Sequence, residues 1–230
     1  MEIILNKKEV NNDTSIIAVH RNVITKTGTI FLKNYLDSIQ NFKSGSSSFG
    51  EIPRLQKWYN ESGEYFSKTW QDQSNPRWIS CPYEPELKTI QKHIQSYFNN
   101  CIPLQSLHNV TQTSFNSCLL NKYRDGMDSI KPHRDSEEIF GNNPTVAVLS
   151  FGSPRELVFR RIIYNKNKIH SIKPDKANPE DFSVKLDSGS LLFMCGSVQK
   201  YYSHEIIKNK DVYEPRYSMT FRQYKETIRN

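Results

Sequence analysis

The sequence predicts a mainly-β protein with flanking helices, an α+β chain built around an antiparallel sandwich or barrel. Three observations predict it. From Phe115 onward, short runs of period-two hydrophobicity follow one another: FNSCLLNKY, PTVAVLSF, ELVFRRII, FSVKL, SLLFMC and RYSMTFRQY. Turn signals at Asp125-Gly126, Phe151-Gly152 and Ser188-Gly189 separate them, the punctuation of short antiparallel strands. The helical periodicities lie ahead of these runs. Leu32, Tyr35, Leu36, Ile39 and Phe42 predict a helix over about 27–42, and Leu87, Ile90, Ile94 and Tyr97 or Phe98 a second over about 85–99. Pro85 suits the first turn of that second helix.

The remaining elements follow in chain order. Residues 15–24 (SIIAVHRNVI) read as a strand, and KSGSSSFG as a flexible linker. PRLQKWY and EYFSKTW, two short aromatic-rich segments, suit the strands of a surface hairpin or lid. Residues 165–180 (NKNKIHSIKPDKANPE) form a polar, basic insertion between two strands. A length of 230 residues suits one domain over 1–230: N-terminal helices and a lid in 1–114, a core in 115–225.

The balance of 31 Lys and Arg against 24 Asp and Glu gives a net charge of +7, which favours polyanionic partners, nucleic acid first and membrane surfaces second. Cys81, Cys101, Cys118 and Cys195 show no metal-type spacing and read as reduced thiols. The N-terminus turns polar too soon for a signal peptide, and no apolar run reaches transmembrane length. These features imply an intracellular protein, cytoplasmic or nuclear, monomeric and without a membrane partner.

Strand periodicity organises the chemistry. Asn121 and Tyr123 are two apart and share a face, as do His133 and Asp135. In RYSMTFRQY, Arg216, Ser218, Thr220 and Arg222 share one face, while Tyr217, Met219 and Phe221 share the other. That strand has two readings, an amphipathic strand facing water or one whose arginines line a pocket. A His-x-Asp pair on an extended segment can chelate one ion from the same side. A second histidine from another strand would complete two histidines and a carboxylate with open positions, as in non-haem Fe(II) oxygenases. His204 is the best third ligand, 71 residues beyond His133 and followed by Arg216. His20, His93, His108 and His170 fall in the first strand, a helix, a loop and the insertion, and read as surface or packing residues.

The order Asn121-x-Tyr123-x-x-Gly126-x-Asp128-x-Ile130-x-x-His133-x-Asp135, then His204, then Arg216-x-Ser218-x-Thr220-Phe221-Arg222, resembles the AlkB family of nucleic-acid dealkylating dioxygenases. The resemblance is strong over about 115–224 and extends weakly upstream through PRLQKWY. It implies a double-stranded β-helix (jelly-roll) core and the cofactors Fe(II), 2-oxoglutarate and O2. His133, Asp135 and His204 would bind iron and carry the catalytic centre. Arg216 would pair with the distal carboxylate of 2-oxoglutarate, Asn121 and Tyr123 would hydrogen-bond it, and Ser218 and Arg222 would complete its pocket. The implied reaction is oxidative dealkylation of N-alkylated bases in DNA or RNA, with succinate, CO2 and formaldehyde released.

The substrate side carries fewer signals. PRLQKWY followed by EYFS resembles the nucleotide-recognition lid of the family's repair branch, which implies Arg54 on phosphate and Phe66, or Tyr65 beside it, stacked on an extruded base. Ordinary core packing is the other reading of these aromatics. Glu137 would sit near a cationic methylated base. Repair relatives usually carry an acid directly after the metal Asp, where this chain has Ser136, so the base preference stays open. Arg77, Arg160, Arg161, Lys166, Lys168 and Lys173 could form a phosphate track or a solvated basic face. Two rival functions share these residues: a protein lysine or arginine demethylase or hydroxylase, and an inactive nucleic-acid-binding homologue.

Overall fold

Two antiparallel sheets lie face to face, with two helices packed behind the larger one. The computed structural model describes residues 1–47, 50–67, 76–101, 114–165 and 172–225. The larger sheet has seven strands. In spatial order they are β1 (Glu2–Lys8), β2 (Thr14–His20), β11 (Leu191–Gly196), β8 (Val146–Gly152), β13 (Arg216–Arg222), β6 (Ser117–Tyr123) and β5 (Leu55–Asn60). The smaller sheet runs β10 (Phe182–Leu186), β9 (Arg155–Arg161), β12 (Tyr202–Ile206) and β7 (Ile130–His133). A further pair, β3 (Ser46–Ser47) and β4 (Gly50–Glu51), stands apart. This is the jelly-roll core expected from the sequence.

Alternation along the strands builds two cores. One face of β13 sends Tyr217, Met219 and Phe221 into an apolar layer with Leu32, Leu36, Leu87 and Ile94 of the helices. Between the sheets, Val146, Val148, Leu157, Phe159, Leu186, Leu192 and Met194 form the second core. Every residue of β13 is buried, so the reading of a strand facing water does not hold. The helix layer covers one face and the inter-sheet cavity takes the other.

The helices start and stop for local reasons. Thr25 caps α1 (Lys26–Ser38) by accepting the Gly28 N–H at 3.0 Å, as an N-cap threonine does. The helix ends four residues short of the expected Phe42. Asn41 turns the chain at φ 59°, and Lys43 joins the edge of β5 through two backbone bonds with Gln56. Pro85 opens α2 (Pro85–Asn99), which buries Phe98 and leaves Tyr97 exposed. No described helix is long and apolar enough to cross a membrane.

Two further expectations are corrected. PRLQKWY is not half of a surface hairpin: Leu55–Asn60 pairs along β6 as an edge strand of the large sheet. Trp58 and Tyr59 are wholly buried on opposite faces of it, and a surface hairpin could not bury both. Residues 61–67 continue without strand pairing, and the end of EYFSKTW lies outside the described residues. The polar N-terminal residues, for which the sequence carried no strand signal, form β1, paired with β2.

Candidate active site

The metal-type cluster forms where the end of β7 meets the middle of β12 in the small sheet. β7 and β12 are antiparallel neighbours, and their register sets His133 directly opposite His204, with ring centroids 4.3 Å apart. Asp135 follows two residues after His133, beyond the end of β7. The ligand atoms of His133, Asp135 and His204 all lie within 4.8 Å of one another.

Their surroundings prepare them to bind a cation. The His133 Nδ1 sits 3.0 Å from the Lys131 carbonyl, which assigns the proton to Nδ1 and leaves Nε2 as the ligand atom. Burial drives His204 down to about 3, helped by neighbouring His133, and burial lowers His133 as well. Both rings are therefore neutral, the form a metal needs. Burial pushes Asp135 up, but the charge and hydrogen bonds of Arg222 work against it, and the carboxyl is held below its usual range. Arg222 grips both carboxylate oxygens, Nε to Oδ2 at 2.9 Å and Nη2 to Oδ1 at 2.8 Å. A carboxylate has about four lone-pair positions, so this grip leaves room for a metal. The Asp135 N–H donates to Gln199 Oε1 at 2.9 Å. Gln199 itself is fully buried on the short helix α4 (Val198–Tyr201).

The large sheet supplies the opposite wall. Register places Arg216 across from Tyr123, and Ser218 across from Asn121. All four line one cavity with His133, His204 and Arg222. Its other walls are apolar, among them Leu119, Ile130, Val148 and Met194. Arg216 is 2% exposed. Its Nη2 donates to Ser150 Oγ at 2.9 Å, while Nε and Nη1 meet no acceptor among the described residues. A buried guanidinium without a carboxylate is costly, and two idle donors on a planar fork match a bidentate carboxylate. The residues present therefore fit both groups, a divalent cation on the small sheet and a dicarboxylate reaching from it to Arg216.

Gly126 of the motif has a steric cause. A Cβ there would fall 1.7 Å from the Asn209 carbonyl oxygen. The bare backbone instead exchanges hydrogen bonds with the 209–212 turn, at 2.7 Å to Val212 and 2.8 Å from Asn209.

The expected substrate residues are placed differently. The Arg54 side chain turns inward, with Nε on Asn121 Oδ1 at 3.0 Å and Nη1 on the Ser129 carbonyl at 3.2 Å; it does not reach out as a phosphate contact would. Phe66 is buried rather than displayed. It stacks on Trp78 at 4.2 Å and meets Trp58 and Phe140 edge-on. Tyr65 is half-buried, its carbonyl accepting the Tyr224 hydroxyl at 3.1 Å. Glu137 opens α3 (Glu137–Phe140), with its carboxylate 3.4 Å from the Tyr164 hydroxyl. Two arginines of the expected phosphate track carry acidic partners. Arg160 pairs with Glu205 and Asp181, and Arg161 with buried Glu9. Lys166 and Lys168, like His108 and His170, lie outside the described residues. Sequence reasoning missed Ser150, Gln199 and Gln56, polar residues on otherwise apolar or charged segments that carry no spacing signal.

The model of the 2OG-Fe(II) oxygenase superfamily matches residues 19–222. Among curated proteins, the chain is 32% identical over 170 residues to alpha-ketoglutarate-dependent dioxygenase alkB homolog 3 of Mus musculus, covering 74% of this chain and 51% of that protein. It is 30% identical over 172 residues to DNA oxidative demethylase ALKBH2 of Homo sapiens, covering 75% and 57%. The chain thus spans about half the length of the curated relatives it matches. Among solved structures, OsALKBH1 aligns with a TM-score of 0.58 at 16% identity, covering 90% of this chain and 97% of that one. A prolyl hydroxylase from Trichoplax adhaerens aligns with a TM-score of 0.50 at 13% identity, covering 91% and 84%. Both show the fold. The chain belongs to the 2OG-Fe(II) oxygenase superfamily. Within it the chain is of the AlkB type, as its motif order and its curated relatives agree.

Proposed function

We propose that this chain oxidatively dealkylates N-alkylated bases in DNA or RNA, using Fe(II), 2-oxoglutarate and O2 and releasing succinate, CO2 and formaldehyde. One observation carries the reading. A buried Arg216 with two idle donors faces, across one cavity, a triad of two neutral histidines and a charge-stabilised carboxylate.

Iron bound at the triad supplies the oxidising power for hydroxylating an N-alkyl carbon. The chain's own residues supply position. His133, Asp135 and His204 would hold the ion through two imidazole nitrogens and a carboxylate oxygen. Arg222 fixes the plane of the Asp135 carboxylate and keeps it ionised. Arg216, with Ser150 behind it, anchors the far carboxylate of 2-oxoglutarate, while Asn121, Tyr123 and Ser218 line its path. The apolar walls limit water around the reacting groups.

For the substrate, support comes from the chain's +7 charge and from the demethylase named among its relatives. Glu137 and Tyr65 are the residues we assign to the base, the carboxylate toward a cationic alkylated ring and the phenol toward its face. Phe66 is assigned to packing, since Trp78 already occupies a face of its ring. An intracellular, monomeric protein remains part of this reading.

The test is mass spectrometry of a mixed panel of methylated DNA, RNA and histone-type peptides after incubation with Fe(II), 2-oxoglutarate and ascorbate. Loss of methyl groups from oligonucleotides, with matching formaldehyde, is expected. Demethylation or hydroxylation of peptides alone would move the substrate to protein. No turnover of any of them, with 2-oxoglutarate still bound, would favour an inactive homologue.

A further inference from the structure

The orientation of the Asn121 amide is dictated from outside the cavity, by two residues of the preceding edge strand and its approach. Arg54 Nε approaches Asn121 Oδ1 at 3.0 Å. A guanidinium nitrogen can only donate, so the atom it meets must be the amide oxygen and not the nitrogen. Gln56 Nε2 lies 3.1 Å from the same oxygen. Because that oxygen is an acceptor, Gln56 must present its own nitrogen there. Two amides, each ambiguous in isolation, are thus both settled by one arginine. The Asn121 Nδ2 has no acceptor among the described residues, and Asn121 lines the cavity beside Arg216 and His133. Its donor is therefore the end offered to the cavity, where an anion or a carbonyl oxygen would accept it.

Arg54 acts on a second element as well. Its Nη1 donates to the Ser129 carbonyl at 3.2 Å, and the adjoining Pro53 carbonyl accepts the Ser129 N–H at 2.8 Å. Ser129 immediately precedes β7, the strand that ends in His133. Pro53 and Arg54 therefore bracket the root of the metal strand while Arg54 and Gln56 hold the cavity amide. Burial lowers the affinity of Arg54 for its proton but leaves it charged.

We infer that Arg54 and Gln56 are positioning residues for co-substrate binding, locking the Asn121 amide with its N–H donor toward the cavity. This rests on the reading of that cavity as the 2-oxoglutarate pocket and gives Arg54 an inward task in place of the phosphate contact. The alternative orientation, with the amide oxygen inward, would set an acceptor against the oxygens of an anion. Without Arg54, the Asn121 and Gln56 amides could invert together and keep their mutual hydrogen bond, so Arg54 is the dominant member of the lock.

The test is calorimetric titration of 2-oxoglutarate into the Mn(II)-loaded full chain without O2, which reads binding and requires no turnover. Arg54→Met is expected to weaken binding about fivefold to tenfold in the native background and less than twofold in an Asn121→Ala background. Gln56→Met should weaken it less than Arg54→Met does. Arg54→Lys, which retains a donor but cannot span Asn121 and Ser129 together, should fall between. It is the working variant if Arg54→Met fails to fold. Mn(II) affinity measured on the same variants separates loss of the amide lock from displacement of β7. Equal losses in the native and Asn121→Ala backgrounds would overturn the inference while leaving the pocket assignment standing. A native chain that binds Mn(II) but no 2-oxoglutarate would overturn both.

Discussion

The two ends of β13 carry the same residue in the same setting, yet they are finished differently. Arg216 and Arg222 lie on one face of one strand, 2% and 4% exposed. Arg222 closes on the Asp135 carboxylate through two hydrogen bonds and lies 4.8 Å from the Phe140 ring centre. Arg216 lies 5.0 Å from the Tyr123 ring centre and donates to the Ser150 hydroxyl, with the Tyr123 side chain also favouring its charge and no carboxylate among the described residues. Arg222 also keeps one donor, Nη1, idle among the described residues, so what separates the two is the carboxylate. A buried arginine paired with one is scaffold, and one left without it beside a cavity is a binding site awaiting its anion. The difference lies in what each guanidinium faces. Asp135 stands opposite one, and the cavity opposite the other.

This contrast predicts opposite stability effects from the same substitution. Arg222→Met strands a buried carboxylate and should lower the unfolding free energy of the metal-free chain by about 3–5 kcal/mol. Arg216→Met removes a buried charge that no carboxylate among the described residues balances, so it should leave metal-free stability unchanged or raise it. With 2-oxoglutarate present Arg216→Met falls below the native chain. The native chain should gain about 2.7 kcal/mol at a hundredfold excess over Kd, and Arg216→Met should gain almost nothing. Denaturant melts of both variants, with and without Mn(II) and 2-oxoglutarate, check all four values. Equal destabilisation by both variants in the metal-free state would erase the distinction between scaffold and site.

The residues legible in the sequence were those whose chemistry repeats with strand geometry. His133 and Asp135, Asn121 and Tyr123, and Arg216 and Arg222 all declare a shared face by even spacing. The helices declared theirs by periods of three and four. What stayed hidden depends on partners far away in the chain. Arg54 could point to solvent or inward, and only Asn121, 67 residues later, decides it. Phe66 could stack on a base or pack, and its Trp78 neighbour comes from beyond a stretch with no clear pattern. Gln199 carries no periodic signal at all, yet its buried amide holds the Asp135 backbone. Side-chain identity locates chemistry along the chain; tertiary packing decides where a long side chain is aimed.

The metal end should also differ from the Arg216 end in its response to acid. An unfolded histidine takes a proton below about 6.5, whereas folded His204 resists until about 3, and His133 is shifted the same way. The unfolded chain therefore binds more protons throughout that window. Stability of the metal-free protein must fall as pH drops from 6.5 toward 3, by up to about 1.4 kcal/mol per pH unit for each histidine. His204→Leu should flatten that slope, measured by denaturant melts between pH 6.5 and 4.5. Arg216→Met should leave it untouched, because its guanidinium does not titrate there. An unchanged slope in His204→Leu would place the acid sensitivity elsewhere.

The smallest effect lies behind Arg216, at its hydrogen bond to Ser150. Ser150 stands on β8 opposite Ser218, and its hydroxyl accepts from Arg216 Nη2 at 2.9 Å. That bond holds the plane of the guanidinium while the other donors wait for a ligand. A hydrogen bond to a charged group contributes about 1.5–3 kcal/mol, but the bound dicarboxylate would itself orient much of the fork. Ser150→Ala should therefore cost about 1 kcal/mol, a low end set by that compensation, and raise the KM for 2-oxoglutarate about fivefold while kcat stays near native. Arg222 needs no such helper, because Asp135 fixes its plane whether or not the cavity is filled. If Ser150→Ala lowered kcat as much as it raised KM, Ser150 would be shaping the metal end as well. The two ends of β13 would then act as one unit rather than two.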